Sequence, residues 1–171
     1  MFPTVSEGTL VIEKRPATII CDNATKVFGD SEVILTGTVI NLVDSEDLGE
    51  VTYIRGSEES VGEYDITAEY TPNNNYVVTI SEGIFTITKR PAKIIADSLI
   101  ITVSEGIPVY TATVINESPL ESLVYTLFCS YNGSETSETS EGRPWYFPII
   151  VTCSESPNYI ITTSDGVLTV I

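Results

Sequence analysis

Reactive side chains are scarce in this sequence, and that scarcity narrows the possible chemistry first. The chain contains no histidine, so it lacks the side chain that most often serves as general base near neutral pH and most often binds metal. Ser–His–Asp and Cys–His nucleophile arrangements are excluded, as are zinc sites of the Cys/His kind. Three cysteines, Cys21, Cys129 and Cys153, are too few for a four-thiolate site. Carboxylates alone can hydrolyse glycosides, but no stretch reads as a domain large enough to hold a cleft. The sequence therefore predicts a protein that is not an enzyme and needs no cofactor or metal.

Candidate binding residues concentrate in one segment. Trp145, the sole tryptophan, stands beside Tyr146 at the end of a polar stretch that opens at Tyr131. Aromatic rings on a loop can stack on a sugar or anchor a protein contact; core packing at a strand opening is the competing expectation. Cys129 shares the parity of Leu123, Tyr125 and Leu127, while Cys153 closes the row Phe147, Ile149, Val151. If those two strands are neighbours, a Cys129–Cys153 disulfide could cross-link them and contribute about 3 kcal/mol; two free thiols packed as small apolar residues are the alternative. Asp44-Ser45-Glu46-Asp47 could offer oxygens to calcium. It lacks the glycine and distal glutamate of an EF-hand loop, so a solvated helical turn capped by Asp44 is the simpler expectation. Its counterpart over residues 118–122 has Pro119 at a plausible first helical position.

Charge excludes further classes. The 24 acidic residues face only 8 basic ones, a net charge of −16, which repels nucleic-acid phosphates and anionic membrane surfaces. No apolar run reaches the roughly 18–20 residues that span a bilayer. No basic stretch followed by an apolar one marks a signal peptide near Met1. Export or anchoring signals are expected outside this segment.

The elements that must position these residues are set by internal repetition. The run Ser6-Glu7-Gly8-Thr9-Leu10-Val11-Ile12-Glu13-Lys14-Arg15-Pro16-Ala17-Thr18-Ile19-Ile20 returns 75 residues later as Ser81-Glu82-Gly83-Ile84-Phe85-Thr86-Ile87-Thr88-Lys89-Arg90-Pro91-Ala92-Lys93-Ile94-Ile95, with ten of fifteen positions identical. Thr38-Val39-Ile40-Asn41 returns at the same spacing as Thr113-Val114-Ile115-Asn116, and Cys21 falls opposite Ala96, a small core position. Farther on the spacing is 83: Asn75-Tyr76 matches Asn158-Tyr159, and Ser81-Glu82-Gly83 matches Ser164-Asp165-Gly166. The second copy has gained eight residues around the polar stretch 131–142, which reads as a lengthened surface loop. The phasing gives a terminal hairpin remnant of a preceding repeat at residues 1–15, one repeat at 16–90 and a second at 91–171. Lys89-Arg90-Pro91 joins them without a Gly/Ser linker, so the repeats are expected end to end as a semi-rigid rod.

Within each repeat the hydrophobic period is two. Tyr64, Ile66, Ala68 and Tyr70 alternate with Asp65, Thr67 and Glu69, and Phe147, Ile149, Val151 and Cys153 take the same positions later. Residues 17–21, 33–40, 51–54, 76–80 and 84–87 are further β-branched or aromatic runs. The predicted architecture is all-β: two tandem small modules, β-grasp-like or Ig-like, of about six short strands each, with little or no helix.

These features resemble the MBG ("mostly β-grasp") repeats of large bacterial surface and secreted proteins. Lys26-Val27-Phe28-Gly29-Asp30 is similar to the family's Lys-x-(Tyr/Phe)-Gly-Asp turn, and Val61-Gly62-Glu63-Tyr64-Asp65-Ile66 to its Val-Gly-x-Tyr-x-Ile strand opening. Asn74-Asn75-Tyr76 and Gly83-Ile84-Phe85 resemble its closing hairpin. The second copy departs from the pattern, with Val103-Ser104-Glu105-Gly106 at the turn and Arg143-Pro144-Trp145-Tyr146 at the strand opening. Gly29 would then supply a positive φ and Asp30 would satisfy nearby backbone donors. Tyr76 and Tyr159 would be packed aromatics with hydroxyls at the edge. The resemblance implies a scaffold without catalytic residues, located extracellularly or at the cell surface. Its partners would be neighbouring repeats of a longer chain. Its function would be that of a stalk or spacer in an adhesin-like protein. The alternative is a module that binds a host glycan or protein through the second repeat's loop, with Trp145, Tyr146 and Tyr131 as contacts.

Overall fold

The computed structural model describes residues 4, 7–43, 48–133 and 144–171. The first sequence repeat forms β1 (Arg15–Cys21), β2 (Ala24–Val27), β3 (Gly37–Ile40), β4 (Val51–Arg55), β5 (Gly62–Tyr70), β6 (Tyr76–Ser81) and β7 (Gly83–Thr88). The second forms β8 (Arg90–Ala96), β9 (Leu99–Ile101), β10 (Ala112–Ile115), β11 (Tyr125–Cys129), β12 (Trp145–Cys153), β13 (Tyr159–Ser164) and β14 (Gly166–Val170). The protein is all-β, with seven strands per repeat against the six expected. The strand that periodicity misses is β2, because Lys26 occupies an inward position there.

Each repeat builds a three-stranded and a four-stranded sheet, ordered β3-β1-β6 and β2-β7-β5-β4, then β10-β8-β13 and β11-β12-β14-β9. The first strand runs antiparallel to the third and parallel to the sixth. Register is reproduced residue for residue: Arg15 lies opposite Tyr76 as Arg90 lies opposite Tyr159, and Thr18 opposite Ile40 as Lys93 opposite Ile115. The shift in spacing from 75 to 83 therefore falls between paired strands and leaves the ladders intact.

Alternation places the cores as expected. Ala17, Ile19, Ile66, Ala68 and Phe85 are buried, and so are their counterparts Ala92, Ile94, Ile149, Val151 and Leu168. The Arg55 guanidinium lies over the Phe85 ring, 4.3 Å from its centroid, closing that core with a cation–π contact. Gly83 and Gly166 explain why the acid-Gly pair repeats. A Cβ at Gly83 would sit 2.7 Å from the Asp22 carbonyl oxygen, and one at Gly166 2.8 Å from that of Ala96. Only glycine lets the strand opening approach that backbone.

By contacts the chain divides into two compact units. Unit 1 comprises Met1–Thr25, Val33–Glu58 and Glu63–Thr86; unit 2 comprises Lys26–Glu32, Glu59–Gly62 and Ile87–Ile171. Two short segments from inside the first sequence repeat thus belong to unit 2.

Two local expectations come out differently. The hairpin expected over residues 1–15 shows no strand from residue 7 to 14, and Leu10 and Ile12 are 85% and 86% exposed. The counterparts of Leu10 (Phe85 and Leu168) and of Ile12 (Ile87 and Val170) are fully buried in strands held by β5 and β12. The segment at 118–122 is a β-turn closed by Glu121 N–H donating to the Ser118 carbonyl (3.3 Å), not a helical turn. The described helical turn is instead a 3-10 turn at Val103–Glu105, where the second repeat lacks the aromatic-Gly-Asp triplet. The turn expected over residues 44–48, with its calcium alternative, lies largely outside the described residues, as does most of loop 131–142.

Candidate functional site

The densest polar constellation lies in unit 2, around the Phe28-Gly29-Asp30 turn. Gly29 has φ +76°, as the sequence motif requires, and Asp30 N–H closes the turn on the Val27 carbonyl at 3.0 Å. Among the described residues Asp30's carboxylate does not take the backbone donors expected for it; it pairs with Arg90 Nη2. Arg90 also donates through Nε to the Phe28 carbonyl (2.7 Å) and through Nη1 to Asn116 Oδ1 (2.7 Å). One planar guanidinium thereby fixes both the turn's backbone and its acid. The Phe28 ring meets Tyr159 edge-on, with centroids 5.5 Å apart and planes at 78°, a favoured aromatic geometry.

Glycine at position 29 is also required by space. A Cβ there would lie 2.0 Å from Ser118 Oγ. Ser118 N–H donates to the Tyr159 hydroxyl (2.8 Å), which in turn donates to the Glu121 carbonyl (2.7 Å). Tyr159 is buried with its hydroxyl at the polar edge, as the sequence implies. Asn158 accepts from Val61 N–H at 2.9 Å and donates to the Glu121 carboxylate at 2.6 Å, which Ser156 Oγ also reaches at 2.6 Å. Those two donors, Asn158 first, hold the Glu121 carboxyl below the ordinary carboxylate value. Lys26 lies beneath the turn with its side chain 3% exposed. Burial pulls its ammonium down, but the Glu59 and Glu32 carboxylates outweigh this and hold it above its ordinary value.

A second feature of unit 2 is a groove of about 650 Å³ flanked by β12 and β13. Its titratable lining is Lys89, Cys153, Glu155 and Tyr159. Burial pushes the Cys153 thiol up, which makes it a poor nucleophile. No group of three or more metal-ligating side chains occurs among the described residues.

The three aromatic contact candidates do not converge. Trp145 opens β12 opposite Val170 and is half-buried; Tyr146 points to the other face of the sheet and is 67% exposed. Tyr131 is buried against Phe147, with ring centroids 5.3 Å apart. Its hydroxyl has no hydrogen-bond partner among the described residues. Cys129 and Cys153 do lie on adjacent strands, yet they form no bridge. Cys129 pairs with Ile149 and Cys153 with Tyr125, four residues apart along the ladder. At about 3.3 Å per residue that is roughly 13 Å, far beyond disulfide reach. Correct parity was not enough; register forbids the bond.

The residues that sequence reasoning missed are Arg90, Asn116, Glu121 and Asn158. Each reads alone as the edge of a strand or turn. The available signal was identity between copies: Arg15/Arg90, Asn41/Asn116 and Asn75/Asn158 keep polar residues where burial does not demand them.

The family model described as MBG domain (YGX type) matches residues 17–86. That segment, which includes the Phe28-Gly29-Asp30 turn, belongs to the MBG domain family. A search of curated proteins finds no match to the chain.

Proposed function

Since residues 17–86 form an MBG domain, we propose that this chain is a non-catalytic tandem β repeat serving as a stalk or spacer in a bacterial surface or secreted adhesin-like protein. The observation that supports this reading is the Arg90 clamp on Phe28-Gly29-Asp30 in unit 2. Arg90 and Asn116, which the sequence repetition matches to Arg15 and Asn41, are spent on holding this turn and on each other. The acidic surface keeps such an array soluble and spaced. The reading places the segment outside the cell, with neighbouring repeats as its partners. Antibodies raised against the chain should therefore label intact bacteria that carry it. Labelling that appears only after permeabilisation would overturn the surface assignment.

A second reading, binding of a host protein by the second repeat, is favoured by the outer face of its four-stranded sheet. Tyr146, Pro148 and Ile150 stand there, with Phe128 opposite Ile150 and 62% exposed. The first repeat has Glu63, Asp65 and Thr67 at the matching positions of β5. The carbohydrate version rests on Trp145. Glycan-array retention abolished by Trp145→Ala would favour it, and no retention above background would remove it.

A further inference from the structure

We infer that unit 1 carries a second, open copy of the turn-holding face, built to receive the aromatic-Gly-Asp turn of another MBG module that uses residues 8–14 as its closing strand. The proposal deepens the spacer reading and rests on it for the identity of the partner.

The face recurs residue by residue. Arg15, Asn41, Asn75 and Tyr76 stand where Arg90, Asn116, Asn158 and Tyr159 stand in unit 2. Two of its internal bonds are the same. Arg15 N–H donates to the Asn75 carbonyl at 2.8 Å, as Arg90 N–H does to that of Asn158 at 3.0 Å. Val43 N–H donates to the Tyr76 hydroxyl at 2.9 Å, as Ser118 N–H does to that of Tyr159 at 2.8 Å. Asn41 and Asn116 share a positive φ, 67° and 64°, an uncommon backbone state for a non-glycine residue.

Cover differs between the two faces. In unit 2 the turn lies on the face, and Ser118 and Asn158 are buried at 3% and 7% exposure. In unit 1 the matching Val43 and Asn75 are exposed, and Arg15 is exposed where Arg90 is half-buried; Asn41 is exposed like Asn116, and Tyr76 is buried like Tyr159. A hollow of about 200 Å³ lined by Ile12, Arg15, Val43, Asn75 and Tyr76 opens there. Arg15 Nε, whose counterpart grips the Phe28 carbonyl, is turned onto the Asn41 carbonyl at 2.9 Å.

The occupant follows from chain path and from what this chain has to offer. In unit 2 the turn is delivered beside the strand that runs into Arg90: Phe28 N–H donates to the Thr88 carbonyl at 2.9 Å. Residues 8–14 repeat that strand's sequence and run into Arg15 in the same way, so a module completed by them would present its turn at Arg15. A second copy of this chain cannot serve as it stands. Its Phe28-Gly29-Asp30 turn is already held by Arg90. Its other repeat has a 3-10 turn whose Glu105 carboxylate folds back onto the Thr102 N–H at 2.6 Å.

The test joins an extra copy of residues 16–82 directly ahead of Gly8 in the full chain. Nuclear magnetic resonance should then show the Arg15 Nε–H exchanging at least tenfold more slowly than in the present chain, matching Arg90. Arg15→Ala should lower the melting temperature more in the extended chain than in the present one. That excess should vanish when the added copy also carries Asp30→Asn. Equal effects of Arg15→Ala in both chains and unchanged Arg15 exchange would overturn the proposal. Should the added module fail to fold, a disulfide-cyclised peptide of residues 25–31 provides the second measurement. It should shift Arg15 and Tyr76 resonances of the present chain at millimolar concentration, with the Asp30→Asn peptide inert. No difference between the two peptides would count against the face. An empty face would leave the spacer reading standing with a loose joint, whereas failure of that reading shows in the antibody labelling.

Discussion

Replacing Gly29 by alanine should unfold unit 2 well below its normal temperature, for reasons that can be separated. A non-glycine residue at φ +76° costs about 1 kcal/mol in the left-handed region. The new Cβ would stand 2.0 Å from Ser118 Oγ and 2.7 Å from Ser118 Cβ, an overpacking that costs about 1–3 kcal/mol once the turn shifts. Shifting the turn also weakens the Arg90 bonds to Phe28 and Asp30. Asp30 is half exposed, so that ion pair adds only about 0.5 kcal/mol. A total near 3 kcal/mol corresponds to a melting shift of roughly 15 °C for a unit of this size. The assay is thermal unfolding followed by tryptophan fluorescence, because the sole tryptophan, Trp145, lies in unit 2 and reports that unit alone. Adding Ser118→Gly removes both contacts and should return the overpacking share, leaving the backbone cost. A Gly29→Ala melt within about 2 °C of the unmutated protein, or a double mutant no better than the single one, would refute the steric account.

Three other outcomes follow from the same geometry. Mass measurement of the non-reduced protein should show no two-hydrogen loss, because register keeps Cys129 and Cys153 apart; a loss of two hydrogens would contradict it. Glu121's carboxyl is lowered in the folded state, so its contribution is present above the unfolded value of about 4.3 and is lost as pH falls through the folded one. The Glu121→Gln variant should accordingly melt lower at pH 7, with the gap closing as pH falls below the unfolded value, by the same fluorescence melts; a constant gap across pH would be the contrary result. Tyr146→Ser, at an exposed position, should change stability by less than about 0.5 kcal/mol while abolishing any protein capture by the outer face, measured by pull-down with denaturation controls.

The sheet framework was legible because repetition and alternation constrain the same residues. Tyr64, Ile66, Ala68 and Tyr70 turn inward as their period demands, and the positive φ at Gly29 follows from its motif. Pairing register was not legible. It depends on how many residues each connection uses, and parity alone placed Cys129 near Cys153 when the ladder sets them at opposite ends. Strand β2 escaped because its inward Lys26 is neutralised by Glu32 and Glu59, partners that sequence spacing does not reveal. The destination of the Phe28-Gly29-Asp30 turn escaped for a related reason. Arg90, Asn116 and Asn158 come from three separate strand ends, and only folding brings their donors and acceptors together.

Native-state amide hydrogen exchange tests most directly whether the aromatic-Gly-Asp turn belongs energetically to the module it docks on. Under increasing denaturant, the Phe28 and Asp30 amides, bonded to the Thr88 and Val27 carbonyls, should open with the same free energy as β13 and β14 in unit 2. Amides of β3 and β4 in unit 1 should follow their own isotherm. Exchange of Phe28 and Asp30 on the unit 1 isotherm, unaffected by Arg90→Ala, would contradict the account.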